Sequence, residues 1–412
     1  MSAPPRCYTE KKVAMLAALV FFQLSSLSPA QNFTSRYANS DPFGVNGPMP
    51  FGDLLPAGVG EGLKGGIDFA LAIQSIYDSN FFQTEHEKSE FATNISPRVS
   101  YSTDPEGGAS VTISAGYLPV VRSYLHNTNL DGVDQSGNVS IIVSGSRTQI
   151  SAYAGYIQES GTDRLAGEFV TGSALSLGLR GTYQIAPRTS GFASVSSSIS
   201  DYGNSTVVGF DNISANFGGS WAATERFSFG PSISYAKVSS DNTGTRDSWG
   251  FSMNTSYAAN ERIQLAVSLG LQYSENSRES QAGDFNLTGS LSSTYKIDER
   301  WAWNNSIQSG IVPSPSQANY VINDWSVSSS LIRSLPVGSA GLGLDLYISS
   351  FERVGAAGAS QTTEENLGVL LSYERPLFRD RIGFSTSVRY TINSGQDEWS
   401  QILISTGLNM EF

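Results

Sequence analysis

The stretch RIQLAVSLGLQY, residues 262–273, alternates at every position. Ile263, Leu265, Val267, Leu269, Leu271 and Tyr273 fall on one face, and Gln264, Ala266, Ser268, Gly270 and Gln272 on the other. A period of two marks a β-strand with one apolar and one polar face, because successive side chains leave opposite sides of the pleat. The same alternation runs through RFSFGPSISY (226–235), WGFSMNTSY (249–257), GLGLDLYIS (341–349) and RIGFSTSVRYTI (381–392).

Tight polar turns separate these stretches: TYQIAPRTSG, SWAATERFSFG, SYAANERIQLA, TYKIDERWAWN and SYERPLFRDRIGF. Each carries an aromatic residue just ahead of the turn: Tyr183, Trp221, Tyr257, Tyr295 and Tyr373. The first four recur about every 38 residues, one hairpin plus one longer connection per repeat. Short turns alternating with longer loops, with aromatic residues at the interface, fit an up-and-down membrane β-barrel. A sandwich has no reason to sort its loops by strand parity, and a propeller repeats every four strands. The expected fold is therefore all-β: a transmembrane antiparallel barrel over residues 65–412. It has about 18 strands, with short periplasmic turns and longer external loops. The fourth, seventh and eighth strands, starting near 138, 190 and 206, are weakly patterned, so 16 strands also fit.

Composition agrees. Charged residues make up only 15% of the 412, and Gly (41), Ser and Thr are abundant, as expected for many strands with one wet face. The formal charge of −12 argues against a nucleic-acid partner. Acidic residues gather in predicted loops such as DSNFFQTEHEKSE (78–90) and SGQDEWS (394–400). No metal site and no cofactor is expected from them.

The beginning of the chain has a targeting pattern. Arg6, Lys11 and Lys12 precede the apolar run VAMLAALVFFQL (13–24), and SPAQ offers cleavage after Ala30. Residues 1–30 are expected to be a signal peptide; the run is shorter than the roughly 20 residues of a membrane-spanning helix. Cys7, the one cysteine, lies inside that segment, so the mature chain would carry neither a lipid-anchor cysteine nor a disulfide. Residues 31–64, rich in Gly and Pro and without a period, are expected to be a flexible arm.

At the other end, QILISTGLNMEF (401–412) places Ile402, Ile404, Thr406, Leu408, Met410 and Phe412 on one face. Leu408, Met410 and the terminal Phe412 resemble the signal read by the barrel-assembly machinery of Gram-negative bacteria. That machinery is thus an expected partner, alongside outer-membrane lipid and lipopolysaccharide. The opening strand adds a second resemblance. AIQSIYDSNFFQT followed by FATNISPRVSYST, with Tyr77, Asp78, Asn80, Ser96 and Pro97 at the matching places, is similar to the start of the β-barrel porin 2 family. The resemblance implies an outer-membrane barrel, sometimes associated with exopolysaccharide systems, and implies no catalytic residue.

The remaining chemistry points at the lumen. Alternation turns Arg98, Arg180, Arg389, Asp68, Asp345 and Tyr347 inward, among Ser, Gly, Asn, Gln and Thr. The arginines read equally well as a charge screen for solutes or as wall braces paired with acids. No constriction loop is recognisable; QESGTDRLAGEF (158–169) is the one candidate, by length. His86 and His126 fall in predicted external loops, and His86 with Glu85, Glu87 or Asp78 is the nearest approach to a catalytic arrangement. No enzyme is expected. The expectation is a porin-like channel for small hydrophilic solutes in the outer membrane of a Gram-negative bacterium. The alternatives are an exopolysaccharide-export barrel, for which inward Tyr153 and Tyr347 speak, a rim-located enzyme, and a structural barrel displaying loops.

Overall fold

The computed structural model describes residues 66–103, 111–163, 168–202, 209–240, 244–276, 284–313, 320–353, 362–378, 381–395 and 398–412. The expected signal peptide and the arm lie outside the described residues. The alternating stretches are strands: β1 (Gly66–Asp78), β2 (Glu90–Ser102), β3 (Val111–Tyr124), β4 (Gly132–Ser144), β5 (Thr148–Asp163) and β6 (Glu168–Ala186). There follow β7 (Thr189–Tyr202), β8 (Phe210–Ala222), β9 (Phe227–Ser240), β10 (Gly244–Ala258), β11 (Ile263–Asn276) and β12 (Asp284–Lys296). The last six are β13 (Trp301–Pro313), β14 (Tyr320–Ser334), β15 (Ser339–Arg353), β16 (Thr362–Leu377), β17 (Ile382–Ser394) and β18 (Trp399–Glu411).

Each strand pairs antiparallel with its sequence neighbours, and β1 also pairs with β18, from Ala70↔Glu411 to Asp78↔Leu403. The Phe412 amide extends that ladder, donating to the Phe69 carbonyl at 3.0 Å. The sheet is thus a closed 18-stranded barrel with no free edge. That is the form a sheet must take where no water can satisfy an unpaired backbone group.

The two faces separate as the alternation requires. Ile67 and Phe69 are 58% and 52% exposed on the outside, while the alternate residues Asp68 and Ala70 point in. Leu269 and Leu271 are similarly bare, whereas inward Gly270 and Ser274 are buried. A continuous apolar outer face of this kind is solvated by acyl chains, not water.

The strands have 13 to 19 residues, more than the roughly 10 a tilted strand needs to cross a bilayer. The surplus accounts for two starts that the sequence pattern sets too late, those of β4 and β6; the start of β8 it sets too early. β4 begins at Gly132, not near 138; β6 at Glu168, not near 173; β8 at Phe210, not near 206. At the start of β4 Asp134, Gln135, Ser136 and Gly137 put polar or small residues on both faces, so the alternation fades there. The same overhang blurs the expected sorting of loops. Connections 145–147, 187–188, 223–226, 259–262, 297–300, 335–338 and 378–381 are tight and define the turn end of the barrel. At the opposite, loop end, 79–89 is long but only three residues separate β9 from β10, because these strands absorb most of the SSDNTGTRDS segment.

Loop 79–89 folds back against the inward face. Phe81, with no exposed surface, packs with Ile76, Ala92, Tyr124 and Leu403. Its ring meets Tyr124 edge-on at 5.3 Å and stacks on Phe169 at 6.0 Å. Its carbonyl accepts from Thr162 of β5 at 2.8 Å. The barrel therefore has a true hydrophobic core at one place only among the described residues, under this loop. QESGTDRLAGEF instead lies mostly in β5 and β6, with 164–167 outside the described residues.

Candidate functional site

The candidate site is the inward wall. Its unit is a cross-strand pair of small hydroxyls: Ser114–Ser140 (2.7 Å), Ser196–Ser214 (2.7 Å), Ser232–Ser252 (2.6 Å), Ser306–Ser328 (2.7 Å) and Ser387–Ser405 (2.7 Å). Inward side chains directly opposite on antiparallel strands stand close enough to hydrogen-bond. Serine fills that distance without reaching into the lumen.

Charge is unevenly distributed around the ring. From β7 to β13 the inward charged residues among the described side chains are Arg246 and Lys296, both near strand ends. The rest of the wall holds the ion pairs. Arg389 of β17 donates to Asp345 of β15 at 2.5 Å, reaching across Gly368 of β16. Arg122 and Asp134 pair at 2.7 Å and are almost fully buried, with Arg122 also donating to the Ser160 carbonyl. Arg98 and Asp68 both act on the Glu411 carboxylate, Arg98 attracting and Asp68 repelling it. Ala70 of β1 stands between Arg98 and Glu411 in the ladder.

Of the inward residues expected from sequence, Asp345 and Arg389 are brought into contact. Asp68 and Arg98 share one neighbourhood. Among the described residues Arg180 forms no ion pair; its guanidinium lies over the Phe192 ring at 5.2 Å. Tyr347 is inward beside Asp345, opposite Ser326 and Asn366. Tyr183, Trp221, Tyr257, Tyr295 and Tyr373 all have outward parity near the turn end, where Trp221 packs edge-on against Phe229 at 5.2 Å. Leu408 and Met410 lie in β18 with outward parity, and Phe412 is 77% exposed.

Three features escape the sequence reading. The first is a clasp between the two ends of the barrel. Asp78 and Asn80 have no exposed surface; Asp78 accepts from the Asn80 amide and from Gln401 Nε2, each at 2.8 Å. Asn80 Nδ2 donates to the Thr84 and Ser400 carbonyls, and Ser79 exchanges hydrogen bonds with Ile402. Two of the residues behind the family resemblance, Asp78 and Asn80, thus tie loop 79–89 to β18. The second is the partner of His126. Its Nδ1 lies 3.3 Å from Glu90, whose buried carboxylate also accepts from the His126 and Asn127 amides; His86 makes no such contact. The third is a set of inward rings, Phe192 and Tyr202, joining Tyr153. Their parity was available: in β7, outward Val195 and Ile199 put Phe192 on the serine face.

No family model and no curated relative matches the chain. Solved structures align with most of the chain. OccK1 (OpdK) of Pseudomonas aeruginosa, 11% identical, aligns over 84% of this chain and 99% of its own with a TM-score of 0.50. OccAB3 of Acinetobacter baumannii is 10% identical over 84% and 99%, with a TM-score of 0.49. The siderophore receptor PirA of P. aeruginosa is 8% identical over 84% and 80%, with a TM-score of 0.43. At such identity the likeness is one of architecture: the chain has the fold of an outer-membrane β-barrel.

Proposed function

We propose that the protein is a porin-like channel in the outer membrane of a Gram-negative bacterium, passing small hydrophilic solutes through its lumen. The observation that carries this is the closed 18-stranded ring with an apolar outside and a hydroxyl- and amide-lined inside. A barrel of that strand number encloses a space wider than its own side chains fill. Small inward residues widen it further, and their hydroxyls replace part of a passing solute's hydration. The turn end faces the periplasm and the loop end faces out, with the five turn-end aromatic residues at the inner lipid interface. Residues 1–30 direct export, and Leu408, Met410 and Phe412 present the chain to the assembly machinery. The inward ions act in this reading chiefly as braces, because Arg389, Arg122 and Arg98 each face an acid.

The test is reconstitution of the refolded barrel in planar bilayers. Stepwise, ohmic conductance in molar KCl is expected, together with swelling of liposomes in small sugars. A refolded barrel that inserts and conducts nothing would overturn the proposal.

A further inference from the structure

Resting on the channel proposal, we infer that the solutes are uncharged and polyhydroxylated, of the saccharide class. They are guided along the β5–β11 wall by ring faces set among serine pairs. Three inward rings each lie across a glycine of the neighbouring strand. Tyr153 covers Gly178 so closely that a Cβ there would fall inside its ring. A Cβ on Gly218 would stand 2.6 Å from the Phe192 ring, and one on Gly172 would stand 2.8 Å from the Tyr202 ring. A glycine at such a place lets a ring lie along the wall instead of standing off it. Tyr153 keeps 36% of its surface exposed.

Beside the rings the wall carries hydroxyl pairs that donate and accept alike. In half-buried Ser114–Ser140, whose Ser140 stands opposite Tyr153, and in half-buried Ser196–Ser214, which follows Phe192 along β7, either oxygen can be the donor. Each pair can therefore open toward a solute hydroxyl of either polarity without leaving a buried orphan. A sugar ring has matching parts: an apolar C–H face for the aromatic face, and an equatorial edge of hydroxyls for the serines. Charge selects against the other candidates. A carboxylate solute needs several inward cations side by side, but Arg389 and Arg122 are held by acids, and Arg180, Arg246 and Lys296 stand on separate strands, β6, β10 and β12. A cationic solute finds no inward acid among the described side chains from β7 to β13.

The experiment is block of ion current through single channels, with maltotriose as neutral probe, and citrate and spermidine as charged ones. Maltotriose is expected to interrupt the current at lower concentration than either ion. In the Tyr153→Ala/Tyr202→Ala protein the half-blocking concentration should rise about tenfold. Tyr153→Phe, which keeps the face, should stay within about twofold. Gly178→Ala, which leaves every ring in the sequence but displaces Tyr153, should shift block in the same direction as Tyr153→Leu. Folding of each variant is read from its heat-modifiable gel mobility. Steady conductance with no maltotriose block, stronger block by citrate or spermidine, or block unchanged in the double variant would overturn the saccharide assignment and leave the channel standing. Absence of conductance in the unmodified barrel would overturn both.

Discussion

Asp78 shows how much one side chain carries in this barrel. Its carboxylate receives the Asn80 amide and the Gln401 side chain in a place without water contact. Asp78→Ala strands both donors, and an unsatisfied buried group costs about 1–3 kcal/mol. The urea midpoint of the reconstituted barrel should fall accordingly, while Asp78→Asn, which keeps an acceptor for the Asn80 amide, should fall less. Asp345 and Arg389 make the complementary case, in a part-exposed pair that touches the lumen. Asp345→Ala frees a cation and should move the reversal potential in a KCl gradient toward anion selectivity; Arg389→Ala should move it the opposite way. An unchanged potential in both would mean that the pair lies off the conduction path. At this scale the sequence was half legible. Parity placed Asp345 and Arg389 on the inside, but nothing in it joined residues 44 apart. The Tyr77-Asp78-x-Asn80 element could be recognised as a pattern while its job, gripping a strand more than 300 residues later, could not.

Strands and turns obey backbone space as much as hydrophobicity. Gly230 in β9 faces the Gly219 carbonyl of β8 so tightly that any Cβ would collide with backbone. A Cβ on Gly181 in β6 meets nothing within 4 Å. Gly230→Ala should therefore cost about 1–3 kcal/mol through forced backbone movement, and Gly181→Ala should be neutral. Equilibrium unfolding in lipid vesicles compares them, and equal effects would refute the packing argument. Period-two alternation made the strands legible because each crosses two solvents that differ strongly. It misplaced the starts of β4 and β6, which run several residues ahead of the alternating stretch, and that of β8, which begins later, at Phe210. It also failed for loop 79–89, since Phe81 and Phe82 follow no period and only the folded chain shows that Phe81 roofs Ile76 and Leu403.

For the molecule as a whole, the strand count was legible and the distribution of charge around the ring was not. Counting needs only local pattern. The contrast between the β7–β13 wall, whose described inward charges are Arg246 and Lys296 near the strand ends, and an ion-paired remainder emerges only when every register is known. The closed ladder also has a measurable signature: unheated protein in dodecyl sulfate should migrate differently from boiled protein, as one cooperative unit. A chain shortened before Trp399 should lose that difference, because the Ala70↔Glu411 to Asp78↔Leu403 ladder cannot form.

That seam between first and last strands has a consequence for biogenesis. A ribosome delivers its two halves at the opposite extremes of synthesis, and the Asp78–Gln401 clasp cannot engage until both have been exported. Every earlier stage is an open curtain with two raw hems. A nascent barrel therefore needs shelter for the whole interval of its making, and a stalled one advertises itself to periplasmic proteases by the hems it cannot sew.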